Sequence, residues 1–412
     1  MQIGWIDFSS KDRERAKQLL AFIKPEGQLD ELGVGYLRDA LSNKLFPGIS
    51  TIQTRAKYFF IVTNILRDYL LLSPKEKRKR NPENYLRERE HEVKNKLRKI
   101  YQSKEGIGII GVTLKDRQYV KRNASEIYWN GLQTYRFLAK DGLSLKQFLK
   151  NLYNPNALEL SQAEEGGDDE MGIEELQWIK TPIYNHWFED LKITLSEEEQ
   201  EFFKAQIVNN TSSLSSSLVK ELVLHDELRQ LFLESNQFES FVKAALVLDF
   251  DASVKDTLVL AHDFALLMEG LHLLYNDILQ NYLFGADYDG GFREKYQLWR
   301  LELEDAMLDY EGFKVQDVIQ FARYVKNGTE AFLMSWWQHI QQSAADEAPS
   351  QKMIDLISLR ERITKRTKSR LHKPPTANTD ITVNKYVGLS RFQYRFNNTK
   401  TIIEDIFSIP EN

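Results

Sequence analysis

Apolar residues recur along this chain at three- and four-residue spacing, the period of a helix with one buried face, and polar breaks cut the pattern into segments. Ser9 or Ser10 caps a predicted helix over Lys11 to Lys24, which Pro25 and Gly27 end. Asp30 starts a second helix that runs to about Phe46. A turn follows at Pro47-Gly48. Ser50 is the natural N-cap of a third helix, from Thr51 to about Leu72, closed by Pro74. In the charge-dense stretch beyond it, Leu86, Val93, Leu97 and Ile100 fall close to one helical face. Gly106 to Leu114, GIGIIGVTL, reads as a short strand or hairpin. Ser125 then caps a helix carrying Ile127, Tyr128, Trp129, Leu132 and Tyr135.

Residues Asn154 to Glu175 are dominated by Gly, Asn, Asp and Glu and read as an acidic linker or loop. Beyond Pro182 the pattern is helical almost throughout. Ser196 and Glu199 form an S-x-x-E capping box. Helices are predicted over Ser217 to Glu234, Phe238 to Leu248, Lys255 to Phe284, Gly291 to Ala306, Val315 to Asn327, Glu330 to Ala345 and Gln351 to Leu371. Asn378 to Val387 reads as a short extended segment, and Phe392 to Phe407 as a last helix. The expected fold is mostly α and multi-helical, with a helix-turn-helix-like N-terminal region, a small β-hairpin insertion and a helical C-terminal domain. The expected division is 1–153, a linker over 154–178, and 179–412.

Composition narrows the class. Hydrophobic residues at 42% support packed cores, and a net charge of -5 excludes a uniformly basic nucleic-acid binder while leaving room for local basic surfaces. The chain has no cysteine, which removes disulfides, thiolate zinc sites and cysteine nucleophiles together. The N-terminus turns polar within its first residues, unlike a signal peptide, and no apolar run approaches the ~20 residues of a membrane span. The expectation is a cytoplasmic protein without a membrane partner.

Several blocks carry a resemblance. GWIDFS from Gly4 to Ser9, DELGVG from Asp30 to Gly35, RDALSNKLFPGISTIQTRAKYF from Arg38 to Phe59 and SEIYWNGL from Ser125 to Leu132 are similar to a bacterial family known as domain of unknown function family 6361. Weaker echoes follow in MEGLHLLYN (Met268 to Asn276), LRERITKRTKSRL (Leu359 to Leu371) and FQYRFNNTKTIIEDI (Phe392 to Ile406). Members of that family resemble parts of anti-phage defence loci, encoded beside helicases and phospholipase-D-type nucleases. The resemblance implies an accessory role with such partners. It transfers no catalytic residue, and no cofactor is implied.

Five candidate sites remain. If Asp30 to Leu72 is a helix-turn-helix, the start of its second helix presents Thr51, Gln53, Thr54, Arg55 and Lys57 to DNA; the plain alternative is an αα-hairpin. Two basic clusters could follow a phosphate backbone: Lys77, Arg78, Lys79, Arg80, Lys94, Lys96, Arg98 and Lys99, and, less interrupted by acids, Arg360, Arg362, Lys365, Arg366, Lys368, Arg370 and Lys373. Gly106-x-Gly108-x-x-Gly111 has dinucleotide-fingerprint spacing but lacks the strand before it and the helix after it, so a glycine-rich hairpin is preferred. Glu269-x-x-His272, with His262 near the same face, and Glu88-x-x-His91 have metal-ligand spacing, but no metal site is assigned and a histidine at a helix interface is preferred. No nucleophile-elbow motif is present. Asp30 and Glu31 read as stabilisers of a helix N-terminus, and Asp7 as a buried polar anchor. The leading expectation is a non-enzymatic accessory subunit that binds DNA or a helicase–nuclease partner. A metal-dependent nuclease and a DNA-binding regulator are the alternatives.

Overall fold

The computed structural model describes residues 30–102, 104–139, 142–153, 177–212, 214–285, 291–344, 348–378 and 380–409. The GWIDFS block with Asp7, the helix expected over Lys11 to Lys24 and the acidic stretch Asn154 to Glu175 lie outside the described residues. In chain order the α-helices are α1 (Gly35–Leu45), α2 (Lys57–Leu70), α3 (Pro74–Lys79), α4 (Pro82–Ile100), α5 (Ala124–Thr134), α6 (Leu145–Leu152), α7 (Glu197–Val208) and α8 (Leu218–Leu224). They continue as α9 (Asp226–Glu234), α10 (Phe238–Ala245), α11 (Ala252–Phe284), α12 (Phe292–Ala306), α13 (Val315–Ile319), α14 (Thr329–Gln342), α15 (Gln351–Lys365) and α16 (Phe396–Phe407). Among the described residues there is no strand, only one isolated antiparallel bridge between Leu138 and Ile179.

The mostly helical class therefore holds, and the finer expectations need correction. GIGIIGVTL is a chain of turns rather than a hairpin, because Gly106, Gly108 and Gly111 all take positive φ (83°, 90° and 74°), outside the strand region. The described residues between Asn378 and Val387 are likewise irregular, with no strand among them. α2 begins at Lys57, six residues after the expected start at Thr51. The helix expected over Ser217 to Glu234 breaks at His225, whose backbone is extended (φ -118°, ψ 108°). The C-terminal basic helix stops at Lys365, because Arg366 has φ 52° and a 3-10 turn follows. The helix-turn-helix expectation is not met either: the connection between α1 and α2 spans 46–56, eleven residues, whereas that motif uses about 3–4.

The chain divides into two compact units, neither of them continuous in sequence. The first contains Met1–Ser42, Phe238–Lys243 and Lys255–Tyr394; the second contains Asn43–Gln237, Ala244–Val254 and Arg395–Asn412.

In the first unit α11 is the axis. It is the one described helix long and apolar enough to cross a membrane, and 83% of its apolar window is buried inside the protein. Its buried polar residues His272, Asn276 and Gln280 repeat every fourth position and so form one line along the helix. That line holds the irregular 380s segment. The Asn276 carboxamide donates to Val387 O (2.9 Å) and accepts from Val387 N–H (2.7 Å), and Gln280 accepts from Asn384 N–H (3.3 Å). Gly388, at φ 109°, lets the backbone pass over the His272 ring, where a Cβ would come within 2.8 Å. On another side, a Cβ at Gly270 would meet the Trp299 indole at 2.3 Å; this indole donates to Leu266 O (3.0 Å) and stacks with Trp336.

In the second unit α2 is buried at every residue except Lys57 and Asp68. Phe59 sits edge-on to Tyr128 (centroids 4.9 Å apart) and Phe203 (5.0 Å), and Phe137 packs on Phe203 at 4.9 Å. Such pairs add to the area term that already drives their burial. α5 approaches this cluster through Gly131, where a Cβ would fall 2.6 Å from the Phe59 ring and 2.7 Å from Gly48 O. Under α5, the Glu90 carboxyl is buried, accepts Ser125 N–H at 2.6 Å and leaves its second oxygen without a partner.

Two outcomes are expected. Gly131→Ala forces the Phe59 ring or the Gly48 turn to move and should cost about 1–3 kcal/mol in denaturant unfolding. Burial, the largest cause, pushes the Glu90 carboxyl from 4.5 up to about 8. Between those values the folded chain keeps a proton that the unfolded chain loses, so this group's contribution falls as pH rises, by on the order of a few kcal/mol. Glu90→Gln should flatten the decline of Tm between pH 5 and 8 relative to the parent; parallel curves would show that Glu90 is not the titrating group.

Candidate functional site

The loop over residues 46–56 is built inside the second unit by partners remote in sequence. Gln53 is buried: its amide donates to Gly48 O (3.0 Å) and its carbonyl accepts Ser50 N–H (3.2 Å), closing the turn after Pro47 on itself. The Tyr128 hydroxyl accepts the N–H groups of Thr54 (2.7 Å) and Arg55 (3.0 Å) and lies 2.9 Å from Arg55 O, to which it donates. Thr54 donates through its hydroxyl to Gly108 O (2.6 Å), and Arg55 donates to Ile107 O (2.8 Å). A Cβ at Gly108 would meet the Arg55 side chain at 2.7 Å, so the glycine makes room for the guanidinium to pass.

α16 closes the arrangement. Asp405, buried, with its carboxyl pushed up chiefly by that burial and drawn down by Arg55, takes Arg55 in an ion pair (2.7 Å) and accepts Ala56 N–H (2.7 Å). Asn398 donates to Thr51 O (3.2 Å) and Gln53 O (2.9 Å). Lys57 is paired with buried Glu199 at 2.7 Å, and Glu199 also caps α7 by accepting Ser196 N–H. Of the five positions expected to face DNA, Thr51 alone is exposed; Gln53 is buried, and Thr54, Arg55 and Lys57 are half-buried with their polar groups engaged internally. α2 itself keeps no free face for a DNA groove. Beside this loop an open cleft of about 690 Å³ is lined by Thr54, Thr194, Asn397, Asn398, Thr401 and Glu404, among others. Its lining offers hydroxyls, carboxamides and carboxylates, a set suited to hydrogen-bonding a polar ligand.

The C-terminal basic cluster, in the first unit, separates into spent and unspent charge. Arg360 is buried and donates to Leu32 O (2.7 Å), Gly33 O (3.3 Å) and the Thr329 hydroxyl (2.8 Å). Lys365 and Arg370 both pair with buried Glu31 (3.1 and 3.3 Å), and Arg370 also pairs with Asp380 (2.9 Å). Buried Glu361 accepts the Ser369 hydroxyl and Arg370 N–H, which holds the backbone turned after α15. Arg362, Arg366 and Lys368 are exposed and have no ion pair among the described residues; Lys373 is half-buried. Asp30 behaves as an N-terminal stabiliser, accepting the N–H groups of Val34 and Gly35 at 3.0 Å each, whereas Glu31 serves the basic cluster instead.

The earlier basic cluster is also largely engaged. Lys94 donates to Lys115 O (3.2 Å) and to Gln118 O, Lys96 to Glu189 O (3.0 Å), Arg98 pairs with Asp116 (2.6 Å), and Lys77 donates to Leu70 O (2.8 Å). The Glu-x-x-His pairs assemble nothing. Glu269 pairs with Arg391 (2.7 Å), His272 Nδ1 bonds Met268 O (2.8 Å), and His262 pairs with Asp263 (2.8 Å). Among the described residues no three His, Asp or Glu side chains converge to hold a metal ion.

Sequence reasoning gives no role to Asp405 or Glu361, reads Tyr128 only as a helix residue, and assigns Glu31 to a helix N-terminus rather than to Lys365 and Arg370. The Arg55–Asp405 pair spans 350 positions, and neither residue belongs to a pattern that signals the other. The model of a family of unknown function (DUF6361) matches residues 1–397. No curated protein and no solved structure matches the chain.

Asp405→Ala leaves Arg55 partly buried without its anion and Ala56 N–H without an acceptor. The expected cost is about 3–5 kcal/mol in equilibrium unfolding. Arg55→Ala should cost a similar amount, and the double variant less than the sum; additive costs would show that the two side chains are not coupled.

Proposed function

The chain belongs to the DUF6361 family of unknown function, and we propose that it acts as a non-catalytic accessory subunit of a bacterial anti-phage defence system, working in the cytoplasm by binding DNA alongside a helicase–nuclease partner. One observation carries the DNA contact: Arg362, Arg366 and Lys368 are exposed within seven positions of one another and are not neutralised by carboxylates among the described residues. Affinity for a phosphate backbone comes from cations that release its counterions, and only cations not already paired can do so fully. The second reading, that the same surface meets the partner protein, is favoured by Leu359 and Ile363. They are 54% and 58% exposed and lie four positions apart on one side of α15, with Arg362 one turn from Leu359. Phosphates have no use for two branched aliphatic side chains, whereas a protein interface does.

The Arg362→Glu, Arg366→Glu, Lys368→Glu triple variant should lose DNA retention. If each cation meets one phosphate, the salt dependence of binding should fall by about 2–3 in log–log slope. Arg370 is left intact in this variant because its loss would strand Glu31. Unchanged retention would reject the DNA contact, and loss of partner capture with DNA retention unchanged would favour the second reading. DNA cleavage by the purified chain with Mg²⁺ or Mn²⁺, abolished by EDTA, would overturn the non-catalytic role.

A further inference from the structure

The second unit carries a different basic surface, centred on an aromatic ring. Residues 115–122, KDRQYVKR, form a loop against α4 whose shape is set from beneath. Lys94 donates to Lys115 O (3.2 Å) and Gln118 O, Asn95 donates to Asp116 O (3.1 Å), and Arg98 holds the Asp116 carboxylate and Val112 O (2.9 Å). Gln118 closes the loop on itself: its N–H reaches Lys115 O (2.9 Å) and its side chain accepts Lys115 N–H (3.0 Å). Side chains of α4 therefore supply most of these ties, and the packing of the loop on α4 sets its shape.

What the loop presents is Tyr119, 45% exposed. Its ring stacks on His91 (centroids 4.1 Å apart, planes 22° apart) and has the Arg87 guanidinium 4.5 Å from its centroid. Arg87 is exposed, as are Lys115, Arg117 and Arg122 within four positions of Tyr119 in the chain. Two of the carboxylates beside it are paired, Asp116 with Arg98 and Glu92 with Arg89, and Glu126 accepts Asn123 N–H at the start of α5 (2.9 Å), while Glu88 is exposed next to Arg87. Burial, foremost, and Lys94 hold the His91 imidazole below its usual range, so near pH 7 the ring under Tyr119 is neutral and serves as a flat surface rather than a cation.

We propose that this loop binds single-stranded nucleic acid, with a base displacing the Arg87 guanidinium to stack on the Tyr119 ring and the nearby cations, Arg87 among them, following the backbone. A half-exposed aromatic ring inside a cationic loop is the arrangement by which proteins hold unpaired strands, because every base offers a π-face. A duplex hides those faces, so it would use the cations and leave Tyr119 idle. The site belongs to the second unit and the Arg362–Lys368 segment to the first, and the proposal does not depend on that reading.

The test is fluorescence anisotropy of the full chain with labelled oligothymidylate of about twenty nucleotides and a duplex of equal length, at low salt. The parent should bind the single strand more tightly than the duplex. Tyr119→Ala should weaken single-strand binding about ten-fold or more and leave duplex binding unchanged, while Tyr119→Phe should retain it. Arg117→Glu with Arg122→Glu should weaken both. The Arg362, Arg366, Lys368 triple variant should keep single-strand binding, which separates the failure of one site from failure of the other. No binding by the parent, no preference for the single strand, or equal losses in the Ala and Phe variants would each overturn the proposal.

Discussion

The second unit depends on one buried carboxylate. Asp405 takes the Arg55 guanidinium and Ala56 N–H from a segment 349 positions and more upstream. Removing a carboxylate from water is costly, and the cost is met only when its lone pairs are filled by well-placed donors. Here they are, and the result is that the last helix of the chain fixes the start of α2. Once α2 is fixed, its Phe59 can pack on Tyr128 and Phe203, and the Tyr128 hydroxyl in turn takes the amides of Thr54 and Arg55. Apolar packing and polar satisfaction thus close one loop, and each requires the other.

The first unit solves a related problem by another route. Its C-terminal segment contains too many turns to satisfy its own backbone, and buried backbone groups must find partners. α11 supplies them from within a mostly apolar helix, through Asn276 and Gln280. These side chains would be a liability in a core without the segment. Glu31 and Glu361 do the same for the turn after α15, drawing Lys365, Ser369 and Arg370 inward.

This internal use of charge decides which surfaces remain for other molecules. The two most basic runs in the sequence lose many of their cations to backbone carbonyls and buried carboxylates. What stays exposed is smaller: Arg362, Arg366 and Lys368 on one unit, and on the other Arg87 over the Tyr119 ring with Lys115, Arg117 and Arg122 close to it in the chain. Leu359 and Ile363 beside the first, and a half-exposed tyrosine within the second, give the two surfaces different chemistry and suit them to different partners.

By itself the sequence determined the helical class, most helix positions and the family, because periodicity and capping residues act over three or four positions. The Ser196–Glu199 capping box and the helical face carrying Leu86, Val93 and Leu97 needed nothing else. It misread GIGIIGVTL, since three glycines of positive φ override the β preference of the isoleucines between them, and it began α2 too early, since Ser50 looks like a cap but precedes a turn that Gln53 and Tyr128 hold open. Only the tertiary structure decided which charges are spent. Glu31 and Arg370, or Arg55 and Asp405, carry no local mark of their pairing, because a Coulombic contact depends on distance in space and not on spacing along the chain.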